Sequence, residues 1–323
     1  MTATVSRPEA RAADAPPSAG FTSAEIGRDD RSLRRFLHGL PGVDEAGLER
    51  RSAALAARDV TGPARRDAID LVVSMVDLTS LEGADTPARV RALCAQARRP
   101  DPASLATAAP VPPVAAVCIY PDLAAVAADV LRDSPVRVAA VSTAFPSGRS
   151  SLAVKLADTA LALDGGATEI DMVIDRGAWL SGRYGQVHDE IVAVRELVQG
   201  RAHLKVILET GELAGCDDVR RVAWLALLAG ADMVKTSTGK ISPAATLPVV
   251  AVLLQAVRDW ARLTGERRGV KAAGGIRTAA DAIRHLVAVR EIAGPAWLTP
   301  DLFRFGASSL LDDLLRRRRA LAA

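Results

Sequence analysis

Short apolar runs alternate with stretches of helical spacing along the chain from residue 70 to residue 310. Each run is rich in small and β-branched residues and ends in polar residues or glycine, which is typical of strands followed by turns. The stretches between them space apolar residues as amphipathic helices do, for example at Leu152, Leu156 and Leu163. The pattern predicts eight strands, at residues 71–79, 113–121, 136–143, 168–175, 203–210, 231–238, 269–275 and 303–309.

Eight consecutive strand and helix units predict an α/β fold, the closed (β/α)8 or TIM barrel, which usually needs roughly 250 residues. An open doubly wound sheet is the alternative. That fold is expected to carry a phosphate-binding glycine loop after its first strand, and the DLTSLEG segment at 77–83 is not one. We therefore predict a barrel over residues 66–323, extra N-terminal helices at 29–65 packed on it, and a disordered tail at 1–28.

Composition narrows the class of protein. The chain has no run of eighteen uncharged apolar residues, so no transmembrane helix is expected, and its first twenty residues lack the apolar stretch of a secretory signal. The formal net charge of +3 gives no argument for binding nucleic acid. Three cysteines without metal-binding spacing suit reduced thiols in a cytosol. These features predict a cytoplasmic protein with no membrane or nucleic-acid partner.

Lysine is rare in this chain, with five residues against thirty-six arginines. Arginine cannot lose its proton in a protein, whereas lysine can become a neutral amine nucleophile. Three of the lysines, Lys205, Lys235 and Lys271, lie within predicted strands. Burying an unpaired ammonium group costs several kcal/mol or more. These lysines are therefore candidates for function.

Alternation along the strands turns charged side chains toward the barrel interior. In residues 168–175 the apolar set faces the helices, which leaves the acidic residues facing inward. The residues predicted to face inward are Glu169, Asp171, Asp175, Lys205, Glu209, Lys235, Ser237 and Lys271. A structural ion pair explains any one of them, such as Lys205 with Glu209 or Asp171. Buried pairs are weak stabilisers, so several charges at the mouth where barrel active sites form indicate catalysis.

Lysines at a barrel mouth predict amine catalysis. A neutral amine attacks a carbonyl, and the resulting protonated imine draws electrons from the adjacent carbon so that a bond there can break. A free lysine is too basic for this chemistry, but burial and a second lysine nearby lower its pKa to roughly 7 to 8. Lys235 and Lys271 lie on consecutive strands. Their spacing does not identify which of them is the nucleophile.

Three turns near the end of the barrel have the features of anion sites. They are STGK at 237–240, AAGGIRT at 272–278 and FGASS at 305–309. Backbone N–H groups in such turns bind anions at the start of a helix, and barrels often bind phosphate after their last strands. One such turn is weak evidence, but three in succession predict a phosphate group on the substrate.

These segments together resemble the deoxyribose-phosphate aldolases. The resemblance covers about 240 residues in order, through MVDLTSLEGADT, VCIYP, FPSG, EIDMVI, KVILETGEL, GADMVKTSTGK, GVKAAGGIRT and FRFGASSLL. It implies a barrel that cleaves 2-deoxy-D-ribose 5-phosphate reversibly into acetaldehyde and D-glyceraldehyde 3-phosphate through a lysine Schiff base. It also implies that the enzyme needs no metal and no cofactor. A homodimer is a further hypothesis from the family.

The resemblance implies a role for each matching residue. Lys235 would be the Schiff-base nucleophile, Lys271 would perturb that amine and transfer protons, and Asp171 would accept and donate protons through a water. The implied substrate-binding residues are Asp77, Thr79, Cys118, Lys205, Thr238, Lys240, Gly274, Gly275, Gly306, Ser308 and Ser309.

Two alternatives differ in what the site does. Another Schiff-base aldolase or transaldolase would keep the imine and act on a different sugar phosphate. A catalytically silent barrel would bind a sugar phosphate without turnover and is expected to have lost at least one of Asp171, Lys235 and Lys271. All three are present in this sequence, which favours an enzyme.

Overall fold

Eight parallel strands close into a barrel in sequence order, with the last strand hydrogen-bonded to the first. The computed structural model describes residues 23–27, 29–58, 60–107 and 109–321. The strands are β1 (Val76–Thr79), β2 (Ala116–Ile119), β3 (Arg137–Ser142), β4 (Glu169–Val173), β5 (His203–Ile207), β6 (Met233–Lys235), β7 (Gly269–Ala273) and β8 (Phe303–Ala307). The predicted (β/α)8 barrel is confirmed, and each predicted strand segment contains one strand.

Helices surround the barrel and connect its strands. Within the described residues the α-helices are α1 (Ser23–Ile26), α2 (Asp30–Gly39), α3 (Glu45–Ala56), α4 (Gly62–Ser74), α5 (Pro87–Arg98), α6 (Ala124–Leu131), α7 (Leu152–Asp164), α8 (Arg176–Leu180), α9 (Tyr184–Val198), α10 (Cys216–Leu228), α11 (Leu247–Thr264), α12 (Ala279–Ile292) and α13 (Leu310–Ala320). Short 3-10 helices lie at Pro102–Ala106, Pro121–Leu123, Thr210–Glu212 and Pro295–Trp297. No helix in this part of the chain is both long and apolar enough to cross a membrane.

The first predicted strand began five residues too early. Residues 71–74 belong to α4, and the strand itself starts at Val76. Ile69, Val72 and Val73 are buried together on one side of α4, and their spacing of three and four is helical. The apolar run therefore contains the end of a helix followed directly by a strand.

The helices ahead of the barrel pack on its outer layer. Helix α2 contacts α9 and α10, and α3 contacts α11 and α12. Their Leu33, Leu37 and Leu48 side chains are buried in the apolar core that the barrel helices share. Of the predicted tail, residues 1–22 and 28 lie outside the described residues. Helix α4 extends across the boundary predicted between residues 65 and 66.

The apolar core lies between the strands and the helices, while the interior of the barrel is charged. In β4, Ile170 and Met172 are buried in the apolar core, whereas Glu169 and Asp171 form ion pairs across the barrel. The alternation read from the sequence therefore places these carboxylates on the inner face. The inward-facing cations of β5, β6, β7 and β8 lie beside the β4 carboxylates. They are Lys205, Lys235, Lys271 and Arg304.

Candidate active site

One carboxylate, that of Asp171 on β4, contacts three lysines. Its Oδ2 atom accepts hydrogen bonds from Lys235 Nζ and Lys271 Nζ, each at 2.7 Å. Its Oδ1 atom accepts one from Lys205 Nζ at 2.8 Å. The lysines come from β5, β6 and β7. The register pairs Lys235 with Lys271, whereas Lys205 pairs with Met233, two residues before Lys235 on the same face of β6. All four side chains are buried, so these interactions are little screened by solvent.

A second layer of ion pairs lies next to Asp171. Lys271 Nζ is 2.5 Å from Asp77 Oδ2, and Lys205 Nζ is 2.6 Å from Glu169 Oε2. The guanidinium of Arg304 on β8 donates to Asp77 Oδ1 at 2.5 Å and to Glu169 Oε1 at 2.8 Å. We call this set the inner cluster, which consists of Asp77, Glu169, Asp171, Lys205, Lys235, Lys271 and Arg304. The inner cluster thus links the first strand, β1, and the last strand, β8, to β4–β7 through buried charges.

The three lysines of the inner cluster differ in how readily they lose a proton. Burial lowers the pKa of Lys235 below the ordinary lysine value, and Lys271 adds to this shift while Asp171 opposes it. Burial acts on Lys271 in the same direction, but Asp171 and Asp77 outweigh it and hold its pKa well above the ordinary value. The pKa of Lys205 is also raised, since Asp171 and Glu169 outweigh its burial. Of the three amines, that of Lys235 therefore loses its proton most readily.

Asp171 is ionised at neutral pH. Burial alone would raise its pKa, but Lys205, Lys235 and Lys271 outweigh burial and hold the pKa well below the ordinary value. An ionised carboxylate can accept a proton from a reacting group. Its position between Lys235 and Lys271 lets it exchange protons with either ammonium.

A cavity of about 450 Å³ opens above the inner cluster, and Lys235 is the cluster residue that lines it. Of the other predicted site residues, the cavity is lined by Thr79, Thr238, Lys240, Gly274, Gly275, Gly306, Ser308 and Ser309. Asp171 and Lys271 do not line it: Asp171 contacts Lys235, and Lys271 contacts Asp171. The amine of Lys235 thus lies between a space for substrate and the buried charges.

The three predicted anion turns meet around this cavity. Gly274 and Gly275 have φ angles of +88° and +85°, a region that favours glycine, and a β-carbon at Gly274 would lie 2.9 Å from Ser237 Oγ. Helix α13 begins immediately after Ser309, which places its positive end at the turn. Lys240 Nζ is 3.0 Å from Glu82 Oε1 at the rim. Backbone N–H groups and a lysine are thus available for a phosphate group.

Three predicted substrate-binding residues lie below the cavity and not in its lining. Asp77 and Lys205 belong to the inner cluster. Cys118 is fully buried, with its Sγ atom 3.8 Å from Asp171 Oδ2, and burial raises the pKa of its thiol. The structure therefore places Lys205 and Cys118 in contact with Asp171, and Lys271 joins Asp77 to the same carboxylate.

Two residues predicted to face the barrel interior have other positions. Asp175 follows β4 and caps α8, accepting a hydrogen bond from Ala178 N at 2.9 Å. Glu209 has a φ of +53° and accepts a hydrogen bond from Thr238 Oγ1 at 2.6 Å, so it holds an anion turn and makes no pair with Lys205. Both lie beyond the regular strand, where alternation no longer predicts direction.

Arg304 is a member of the inner cluster that was not predicted from the sequence. Its position between Phe303 and Phe305, both buried in the apolar core, was a signal for an inward side chain. Glu82, Arg89 and Arg277 also line the cavity without having been predicted. In the described part of the chain, no three or more His, Cys, Asp and Glu side chains are grouped so that they could hold a metal ion.

Comparisons with known proteins agree on one family. The sequence model for DeoC/LacD family aldolases matches residues 68–316. The deoxyribose-phosphate aldolase of Mus musculus is 44% identical over 251 residues, which cover 76% of this chain and 79% of the mouse protein. The Homo sapiens deoxyribose-phosphate aldolase is 42% identical over the same shares. A deoxyribose phosphate aldolase from Aeropyrum pernix, described as tetrameric, matches with a TM-score of 0.61 and 25% identity, covering 84% of this chain and 98% of that one.

Proposed function

The chain belongs to the DeoC/LacD family of aldolases, and we propose that it cleaves 2-deoxy-D-ribose 5-phosphate reversibly to acetaldehyde and D-glyceraldehyde 3-phosphate. It is a lyase of the class I aldolase type. The observation that supports this reaction best is the position of Lys235. Lys235 lines the cavity, and its amine has a lowered pKa and donates a hydrogen bond to the Asp171 carboxylate.

Catalysis begins with the Lys235 amine. In its neutral form it attacks the C1 aldehyde of the open-chain sugar to give a carbinolamine. The carbinolamine hydroxyl takes up one proton and leaves as water, which gives a protonated imine. The lowered pKa keeps a useful fraction of the amine neutral near neutral pH. The proton that the attacking nitrogen releases moves to the carbinolamine oxygen, so this step does not need Asp171.

Bond cleavage uses the imine as an electron acceptor. The C3 hydroxyl loses its proton to the Asp171 carboxylate through a bridging water while the C2–C3 bond breaks. The electron pair of that bond moves into the imine, which gives an enamine on Lys235 and releases D-glyceraldehyde 3-phosphate. Asp171 and Lys271, joined by a 2.7 Å hydrogen bond, return a proton to the enamine carbon. Water then hydrolyses the imine to acetaldehyde and free Lys235.

The phosphate group of the substrate binds at the three turns. Its negative charge suits the N-terminus of α13 and the backbone N–H groups near Gly274 and Gly275. Lys240 lines the cavity, where it pairs with Glu82, and its ammonium group can leave this ion pair to bind the phosphate. This arrangement fixes the far end of the sugar and sets the distance of its aldehyde from Lys235.

Turnover by the purified protein tests the proposal. The assay follows acetaldehyde release from 2-deoxy-D-ribose 5-phosphate in the wild type, in Lys235→Met and in Lys155→Met. Lys155 is a matched control because it is also buried and ion-paired, with Glu190 at 2.6 Å, but lies outside the inner cluster. We expect turnover by the wild type and the control, and none by Lys235→Met. Turnover of another sugar phosphate alone would indicate a different Schiff-base aldolase, and binding without turnover would indicate a silent barrel.

Assembly and location are further proposals. We propose a homodimer, and light scattering of the purified protein measures the mass that decides it. We also propose a cytoplasmic location, since the charge pattern and the three cysteines suit one. Fractionation of cells that produce the protein would test this.

A further inference from the structure

Arg304 is one of the buried charges of the inner cluster that the reaction steps above do not use. It is 1% exposed and lies on β8. Its Nη1 atom donates to Asp77 Oδ1 at 2.5 Å, its Nη2 atom donates to Glu169 Oε1 at 2.8 Å, and its Nε atom donates to Pro300 O. A guanidinium cannot lose its proton in a protein. Arg304 is therefore a fixed positive charge inside the barrel.

The charges of the inner cluster do not balance when every group is ionised. The cluster contains three carboxylates, Asp77, Glu169 and Asp171, and four cations, Lys205, Lys235, Lys271 and Arg304. Arg137 also contacts Glu169, at 3.1 Å, but it is 37% exposed and has its own partner in Asp301. One positive charge is thus in excess, and the cluster becomes neutral if one lysine loses its proton.

The ion pairs decide which lysine that is. Asp77 is shared by Arg304, Lys271 and, at 3.7 Å, Lys205. Glu169 is shared by Arg304 and Lys205. Lys271 therefore has one carboxylate in addition to Asp171, and Lys205 has two. Lys235 contacts Asp171 alone among the described carboxylates. Loss of its proton breaks one ion pair, whereas loss from Lys271 breaks two and loss from Lys205 breaks three.

We propose that Arg304 is a positioning residue for this reaction, because its fixed charge makes Lys235 the excess cation of the inner cluster and hence the lysine that reacts. The inference rests on the proposed function, in which Lys235 acts as a neutral amine. The directions of the lysine pKa values agree with it, since that of Lys235 is lowered while those of Lys205 and Lys271 are raised. The other groups near Lys235 are Asp171, Lys271 and Cys118.

Three variants with different charge counts test the inference. Arg304→Met leaves three cations and three carboxylates, so Lys235 keeps its proton to higher pH. The acid limb of kcat/KM should move up by roughly 1 pH unit or more, a loss of about tenfold near neutral pH. Glu169→Gln leaves four cations and two carboxylates and should move the limb to lower pH. Arg304→Met combined with Glu169→Gln restores an excess of one and should return the limb toward the wild-type position.

The measurement is the pH dependence of kcat/KM, which reports the pKa values of the free enzyme, together with a thermal melt of each variant. Arg304→Lys keeps the positive charge but loses the simultaneous contacts to Asp77 and Glu169. It should retain the wild-type pH profile even if its melting temperature is lower. The inference is overturned if folded Arg304→Met keeps the wild-type profile. If that variant does not fold, an unchanged profile in Glu169→Gln overturns it. Failure of the proposed function is distinct, because the wild type itself would then show no turnover.

Discussion

Replacing Asp171 with asparagine separates imine formation from proton transfer. The amide has nearly the shape of the carboxylate, but it carries no charge and its nitrogen cannot accept a hydrogen bond. In the native site the carboxylate accepts from Lys205, Lys235 and Lys271 at 2.7 to 2.8 Å. The substitution therefore removes the charge that three ammonium groups share.

The size of the effect follows from these contacts. Removing one partner of a buried ion pair costs roughly 3 to 5 kcal/mol. Lys205 and Lys271 retain Glu169 and Asp77, so we expect a loss of about 3 kcal/mol in the free energy of unfolding. Loss of a positioned proton acceptor slows the proton steps roughly 10² to 10⁴-fold. The pKa of Lys235 should fall further, because Asp171 raises it in the native site.

Three readouts on Asp171→Asn distinguish these effects. Borohydride reduction with acetaldehyde should still label Lys235, retro-aldol turnover should fall by about 10² or more, and exchange of the acetaldehyde methyl protons with deuterium should slow in parallel. Asp175→Asn is the matched control, because Asp175 lies near the same strand end but caps α8 outside the inner cluster. Loss of labelling with unchanged proton exchange would refute the assigned role of Asp171.

Three further changes have expected outcomes. In Gly306→Ala the new β-carbon would lie 3.0 Å from Lys271 Cε, so kcat should fall roughly ten- to a hundredfold, and an unchanged kcat would argue against a fixed position for Lys271. In Glu209→Gln the turn loses the carboxylate that Thr238 contacts, so KM for the phosphorylated sugar should rise while kcat changes little, as steady-state assays would measure. The carboxylates of the inner cluster have lowered pKa values, because the cations outweigh their burial. Their contribution to stability is therefore present above the unfolded pKa of roughly 4 and is lost as the pH falls below it. Denaturant unfolding should give a lower free energy of unfolding at acid pH than at neutral pH, and equal values would contradict this.

The sequence predicted the barrel and most of the charged interior because both follow from local periodicity. Alternation in residues 168–175 was sufficient to turn Asp171 toward the lysines of later strands. The boundary before Val76 was wrong because a helix end and a strand form one continuous apolar run. Periodicity also does not extend to Glu209, where a left-handed backbone conformation redirects the side chain.

Which lysine reacts could not be predicted from spacing, because Lys235 and Lys271 occupy equivalent positions on adjacent strands. The difference between them arises from partners far apart in the chain. Asp77, at the first strand, contacts Lys271 but not Lys235 among the ion pairs of the described residues. Arg304 could not be singled out because the chain has thirty-six arginines. Its charge acts on the inner cluster only because barrel closure brings β8 beside β1.

The central claim is that Lys235 forms the imine, and reductive trapping tests it most directly. The wild-type protein is incubated with acetaldehyde and borohydride, and peptide mass mapping then locates the ethyl-lysine that reduction produces. We predict a label on Lys235 alone. A label on Lys271 or Lys205, or no specific label at all, would contradict the account.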